Sequence, residues 1–92
     1  MLKLLSVEPS TRKNKKYCAT FSDGTKTHFG DTRYQDYLMH GDPLRRERYW
    51  SRHAQDQLLD PTSAGALAWF LLWGRSTDLQ KNIRTYREHF DI

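Results

Sequence analysis

Cysteine is nearly absent from this 92-residue chain: Cys18 stands alone. No internal disulfide can form and no cysteine-based zinc site can be assembled, so packing must hold the fold. A lone thiol suits a reducing, intracellular compartment, with Cys18 either a small buried residue or an idle thiol. Glycine and proline are also sparse, five and three residues. The glycines stand apart and build no phosphate cradle, and no serine occupies a nucleophile elbow. Long apolar runs are missing as well. Met1-Leu2-Lys3-Leu4-Leu5 is too short for a signal peptide and is ended by Glu8 and Pro9. Ala64 to Trp73 reaches about half the length of a bilayer span and reads as a core helix. The four histidines, His28, His40, His53 and His89, fall in different expected elements, and none is spaced i, i+4 from another histidine or from Cys18. The sequence therefore offers no metal site, calls for no cofactor and carries no catalytic constellation.

Aromatic residues and arginine are what the chain does have. Three Trp, five Tyr and four Phe supply much of the apolar area a small core needs. The net charge of +4 and the pI near 9.4 fit an anionic partner, although many small soluble proteins are as basic without one. The length predicts one domain over residues 1–92, with a β region at 1–30 and a helical region at 33–90.

Leu2 to Val7 carries a weak strand alternation. Pro9 to Lys16 is a polar connector bearing Arg12, Lys13, Lys15 and Lys16, either a solvated loop or an anion-facing arm. Tyr17, Ala19 and Phe21 alternate with Cys18 and Thr20, the spacing of a strand with one apolar face. A turn at Ser22-Asp23-Gly24-Thr25 leads to a second strand at about Thr25 to Phe29. A two-residue loop would set Phe21 beside Lys26. A three-residue loop with Gly24 in the left-handed conformation sets Tyr17 beside Phe29 and Ala19 beside Thr27. Only the second gathers Tyr17, Ala19, Phe21 and Phe29 on one face, so burial favours it. Gly30-Asp31-Thr32 is expected to break the sheet, and residues 33–40 to form a short helix closed by Gly41.

Two Asp-Pro pairs follow, Asp42-Pro43 and Asp60-Pro61. In each, the carboxylate can cap a helix start and the proline fits the first helical position, so two helices are expected. The first, from Pro43 to Leu58, sets Leu44, Trp50, Ala54 and Leu58 on one face and Arg45, Arg48 and Arg52 on another. Glu47 falls in the apolar stripe. The second, from Pro61 to Trp73, is apolar nearly all round and should be a central pillar ended by Gly74. The small residues Ser63-Ala64-Gly65-Ala66 suit close packing of a neighbouring element. Ser76 can cap a last helix, with Asp78 in its first turn and Leu79, Ile83, Tyr86 and Phe90 facing inward. Together these predict an α+β fold: an antiparallel sheet of two or three strands, then four helices, the third lying between the sheet and the last.

Asp42 and Asp60 are explained by capping and need no acid–base role. His53 suits an amphipathic ring packed at a helix edge. The candidate partner- or phosphate-binding residues are Lys13, Lys15 and Lys16 in the connector and Arg45, Arg48, Tyr49 and Arg52 on the ridge. Three guanidiniums on one helical face can hold phosphate or a carboxylate-rich surface. The plain alternative is a solvated face paired with Glu47, Asp56, Asp31 or Asp36.

The ordered run Lys16-Tyr17-x-Ala19-x-Phe21, Phe29-Gly30, Tyr34-x-Asp36-Tyr37 and His40-x-Asp42-Pro43-x-Arg45-Arg46-x-Arg48-Tyr49-x-x-Arg52-His53 carries a resemblance. It continues through Asp60-Pro61-x-Ser63-Ala64-Gly65-Ala66-Leu67 and Leu71-Leu72-Trp73-Gly74. The chain resembles small uncharacterised proteins of large double-stranded DNA viruses of protists and algae, with algal relatives. The likeness covers about residues 15–90, most specifically 34–74. Those proteins often carry an extra polar or Trp-containing stretch where this chain has Leu58-Leu59, a departure that bears on helix length. The resemblance implies no activity. It implies a non-catalytic interaction module, a minor capsid-associated component of a virus particle that binds other proteins. The basic connector and ridge leave a nucleic-acid-binding accessory protein as the alternative. No membrane partner and no small-molecule substrate is expected.

Overall fold

Three strands open the fold of the computed structural model, which describes residues 1–54 and 58–92. β1 (Leu4–Pro9), β2 (Lys15–Phe21) and β3 (Lys26–Asp31) form an antiparallel meander in the order β1-β2-β3. The strand expected at residues 2–7 lies slightly later. The β2–β3 register pairs Tyr17 with Phe29 and Ala19 with Thr27, and Gly24 sits at φ +91°, the three-residue turn with a left-handed glycine. Ala19, Phe21 and Phe29 are accordingly buried on one face, and Tyr17 stacks on Phe29. Burial decided the register.

Gly30 does not end the sheet as expected; β3 continues to Asp31, opposite Lys15. Gly30 adopts φ +80°, and a Cβ there would lie 2.8 Å from Leu72 Cδ1 and 3.0 Å from Lys16 Cβ. A side chain is thus excluded twice, by backbone conformation and by space.

The first helix is shorter than expected. α1 covers Tyr37–His40 because the Asp36 carboxylate caps it from outside, while Gly41 closes it at φ +61° with its N–H donating to the Tyr37 carbonyl. α2 (Pro43–His53) begins on Asp42, whose carboxylate accepts from the N–H groups of Leu44 and Arg45. Of the stretch expected to extend it to Leu58, residues 55–57 lie outside the described part.

The second Asp-Pro does not start a helix. Asp60 Oδ1 accepts from both the N–H and the hydroxyl of Thr62, closing a local turn. Ser63 is the cap instead, its hydroxyl accepting from Ala66 N–H, so α3 spans Ala64–Leu67. It continues as a π-helical segment, Ala68–Leu72, ended by Trp73 N–H donating to the Ala68 carbonyl. The wide turn lets one short segment serve three surfaces. Leu67, Leu71 and Leu72 enter the core, Trp69 and Trp73 reach α2, and Phe70 meets Tyr86 and Phe90. Composition shows the all-round apolar character; the inserted residue of a π turn has no sequence signal.

α4 covers Leu79–Phe90, capped by Asp78 rather than by Ser76, whose hydroxyl accepts from the Asp78 N–H one step earlier. Ile83 and Tyr86 are buried, with Leu79 and Phe90 beside them as the periodicity predicts. Asn82 joins them unforeseen. Its amide nitrogen donates to the carbonyls of Leu71 and Ser76, and its oxygen accepts from Ser76 N–H. Each group of this buried amide is satisfied, and it ties the end of the π-helical segment to α4. Gly74 packs under it, where a Cβ would lie 2.7 Å from Asn82 Cγ. The core therefore lies between the sheet, α3 with its π-helical extension, and α4. The radius of gyration, 12.3 Å, matches the ~12 Å of a single compact domain of this length.

Candidate functional site

α2 stands on this core by rings. Its inward face is Arg46, Tyr49, Trp50 and His53, spaced i, i+3, i+4 and i+7. The expected face headed by Leu44 is wrong: Leu44 is 64% exposed, Tyr49 only 7%, and Glu47 points to solvent. Tyr49 lies flat on Trp73, centroids 4.4 Å apart at 5°, and His53 stacks on Tyr49 at 4.1 Å. Trp50 stacks on Trp69 and donates its indole N–H to the Trp73 carbonyl at 2.8 Å. Arg46 inserts its guanidinium between the Tyr37 ring (4.4 Å) and the Trp50 ring (4.7 Å) and donates to the carbonyls of Gly74 and Arg75. Such sandwiching uses the planar, weakly hydrated guanidinium, and lysine could not reproduce it. Sequence reasoning missed Arg46 because it sought aliphatic faces. The available signal was its spacing with Tyr49, Trp50 and His53.

His40 secures the start of α2. Its Nδ1 accepts from the Asp42 N–H at 2.9 Å, its ring lies 5.2 Å from that of Trp73, and its Nε2 is buried without a hydrogen-bond partner. Burial first, and then the Arg45 charge, hold its pKa below the usual histidine value.

Outside this seam the ridge is as expected: Arg45, Arg48 and Arg52 are exposed. Among the described residues no carboxylate is ion-paired with it. Among the described residues the ion pairs are Lys16–Asp36 and Arg33–Asp31. Asp31 is gripped by the Arg33 side chain and backbone N–H groups, which hold its carboxyl at about 2. Asp36 is taken by Lys16. Asp56 lies outside the described residues. Arg45 donates to the Gln35 side-chain carbonyl at 3.2 Å, a neutral acceptor that leaves its charge uncompensated.

Two of the seven candidates change character. Lys16 is not a free cation: its ammonium is bound to the buried Asp36 carboxylate, the two side chains only 13% and 4% exposed. It anchors β2 to the cap of α1. Tyr49 is a buried stacking platform, not an exposed ridge residue. Lys13 and Lys15 do stay exposed. With Arg12 and Lys26, Lys15 helps to depress the pKa of His28, after desolvation, so this end of the sheet carries a positive field.

A cleft of about 440 Å³ lies between the β3–α1 connection, α2 and the π-helical segment. It brings Arg45, Arg52, Lys16 and Tyr49 to one lining and leaves out Arg48, Lys13 and Lys15. Ala68, Leu72 and Trp73 supply its apolar part. Cys18 is a half-buried free thiol that donates weakly to the Ala19 carbonyl at 3.9 Å. Among the described residues no three His, Cys, Asp or Glu converge as metal ligands, and no helix is long and apolar enough to cross a membrane.

No curated protein and no solved structure matches the chain significantly. One family model does, described as "Family of unknown function (DUF5754)", over residues 5–53. The matched span takes in the sheet, the Lys16–Asp36 bridge, α1 and all of α2, and stops before Asp60-Pro61. Covering more than half of the sequence, it shows that the chain belongs to the DUF5754 family.

Proposed function

We propose that the protein is a non-catalytic interaction module that docks on an acidic protein surface within a larger assembly, as a minor, capsid-associated cement component does. One observation carries this reading. α2 presents Arg45, Arg48 and Arg52 outward with no carboxylate paired to any of them among the described residues, on a helix immobilised by stacked rings. Exposed charges held on a ring-stacked helix, with Asp31 and Asp36 engaged elsewhere, favour an anionic partner and give orientation on encounter. The test is recovery of the protein from assembled particles or a native partner complex in fixed stoichiometry. Arg45→Glu/Arg48→Glu/Arg52→Glu should abolish that recovery without unfolding the chain. A protein that stays monomeric at every stage defeats the reading.

A nucleic-acid-binding accessory role is the second reading, supported by the positive field that Arg12, Lys15 and Lys26 create around His28. It predicts retention on DNA or RNA with a steep salt dependence. Absence of retention at low salt would end it.

A further inference from the structure

The cleft beside α2 combines a cationic rim with an apolar floor. Arg45 and Arg52 form the rim, and Ala68, Leu72 and Trp73 the floor. The two carboxylates in its lining are neutralised within the fold, Asp31 by Arg33 and Asp36 by Lys16. The uncompensated charge facing an occupant is therefore positive and doubled. Its volume, about 440 Å³, lies in the range of sites that enclose side chains or small ligands.

We propose that this cleft receives an extended segment of the partner protein in which two carboxylates four residues apart bracket an apolar side chain midway between them. The inference rests on the interaction-module reading and names the chemistry of its partner. The spacing follows from the helix. Arg45 and Arg52 are seven positions apart, roughly 10 Å along the axis. Alternate side chains of an extended chain share a face, so carboxylates four residues apart, roughly 13 Å, come within reach of the two long Arg side chains with the middle residue on the same face. The apolar side chain between the carboxylates meets the half-buried Ala68 and Trp73, and this burial adds affinity to the two charge-assisted hydrogen bonds.

The geometry favours carboxylate over phosphate. Phosphate sites draw on free backbone N–H groups at helix starts. Here the first turns of α1 and α2 are closed by the Asp36 and Asp42 carboxylates.

The test is an NMR titration of the intact protein with acetyl-Glu-Ser-Phe-Ser-Glu-amide, with acetyl-Lys-Ser-Phe-Ser-Lys-amide and inorganic phosphate as controls. The acidic peptide should give saturable shifts at the Trp73 indole and at the Ala68 and Leu72 amides; the lysine peptide should give none there. Arg45→Glu/Arg52→Glu should weaken binding at least about tenfold, the least expected from losing two charge-assisted hydrogen bonds, while the sheet amides keep their positions. Arg45→Gln/Arg52→Gln should weaken it in the same direction. Absence of shifts, shifts confined to the β1–β2 connection, or tighter saturation by phosphate overturns the cleft assignment. A native partner complex that survives Arg45→Glu/Arg52→Glu also overturns it, yet leaves the interaction module standing. A protein monomeric at every stage defeats the module and this assignment with it.

Discussion

The two interfaces of this small fold are built on different physics. Between the sheet, α3 and α4 lies an apolar core of Leu4, Ala19, Phe21, Phe29, Leu67, Leu71, Leu72, Ile83 and Tyr86, all nearly inaccessible. Under α2 lies a seam of stacked rings and one guanidinium, with His40 Nε2 and Arg46 Nε buried and unpartnered. The core gains free energy from removing apolar area from water, a term that ignores direction. The seam relies on ring orientation and on polar contacts that must be made at set angles. A core of the first kind makes the chain fold; a seam of the second kind fixes where a surface helix points. The arginine ridge sits on the oriented element.

Breaking the core should cost most. Leu71→Ala, at a fully buried site, should lower unfolding free energy by about 2–5 kcal/mol in denaturant titrations. All elements, α2 included, should then unfold together, and a separate α2 transition would show the seam to be an independent unit. Asn82→Leu should cost about 1–3 kcal/mol despite its greater hydrophobicity, because the Leu71 and Ser76 carbonyls lose their donor. A neutral result would mean that water replaces the amide.

Changes in the seam should be smaller and local. Arg46→Leu should cost about 1–2 kcal/mol through the lost stacking and the two unpaired carbonyls. Hydrogen exchange should rise along α2 while β2 and α4 stay protected, and Arg46→Lys should not rescue it. Uniform loss of protection would place Arg46 in the core's energetics instead.

The smallest expected effect is on pH dependence. The depressed pKa of His40 means that the folded state prefers the neutral ring, whose Nδ1 must accept from Asp42 N–H. The unfolded chain binds the proton more readily, near the ordinary value of about 6.5. Stability from this group is complete above that value and is lost as pH falls through the lower folded value. Mild acidification should therefore lower the melting temperature, and His40→Asn, which keeps an acceptor in a similar place, should remove part of that dependence. An identical slope in both proteins would reassign it to His28, whose pKa is also depressed.

The legibility of the sequence divides along the same line as the two interfaces. Alternation of Tyr17, Ala19 and Phe21 against Phe29 was enough to choose the β2–β3 register, and Leu79, Ile83, Tyr86 and Phe90 gave the inward face of α4. Both rest on apolar burial, for which periodicity is a direct signal. The seam escaped because its members are amphipathic: Arg46 and Tyr49 read as polar and His53 alone reads as a ring packed at a helix edge, so the periodicity turns the helix to bury Leu44. The ridge of Arg45, Arg48 and Arg52 was legible as a face, but the cleft was not, because Ala68, Leu72 and Trp73 come from a segment whose π turn no local pattern announces. Asp60 misled for a simpler reason. An Asp-Pro pair serves a turn as readily as a cap, and Ser63 three residues later was the better cap.

The Arg87 guanidinium donates to the carbonyl of Leu4 at 2.9 Å, across 83 positions of chain. This clasp bears on the order of events during synthesis. A ribosome releases the β-meander first, yet the partners of Phe21 and Phe29 lie on α3 and its π-helical extension, and the clasp on Leu4 lies on α4. The nascent sheet must wait uncovered until both have emerged, so the polypeptide is expected to commit to its fold only once α4 has left the ribosome and to be most open to chaperones before then.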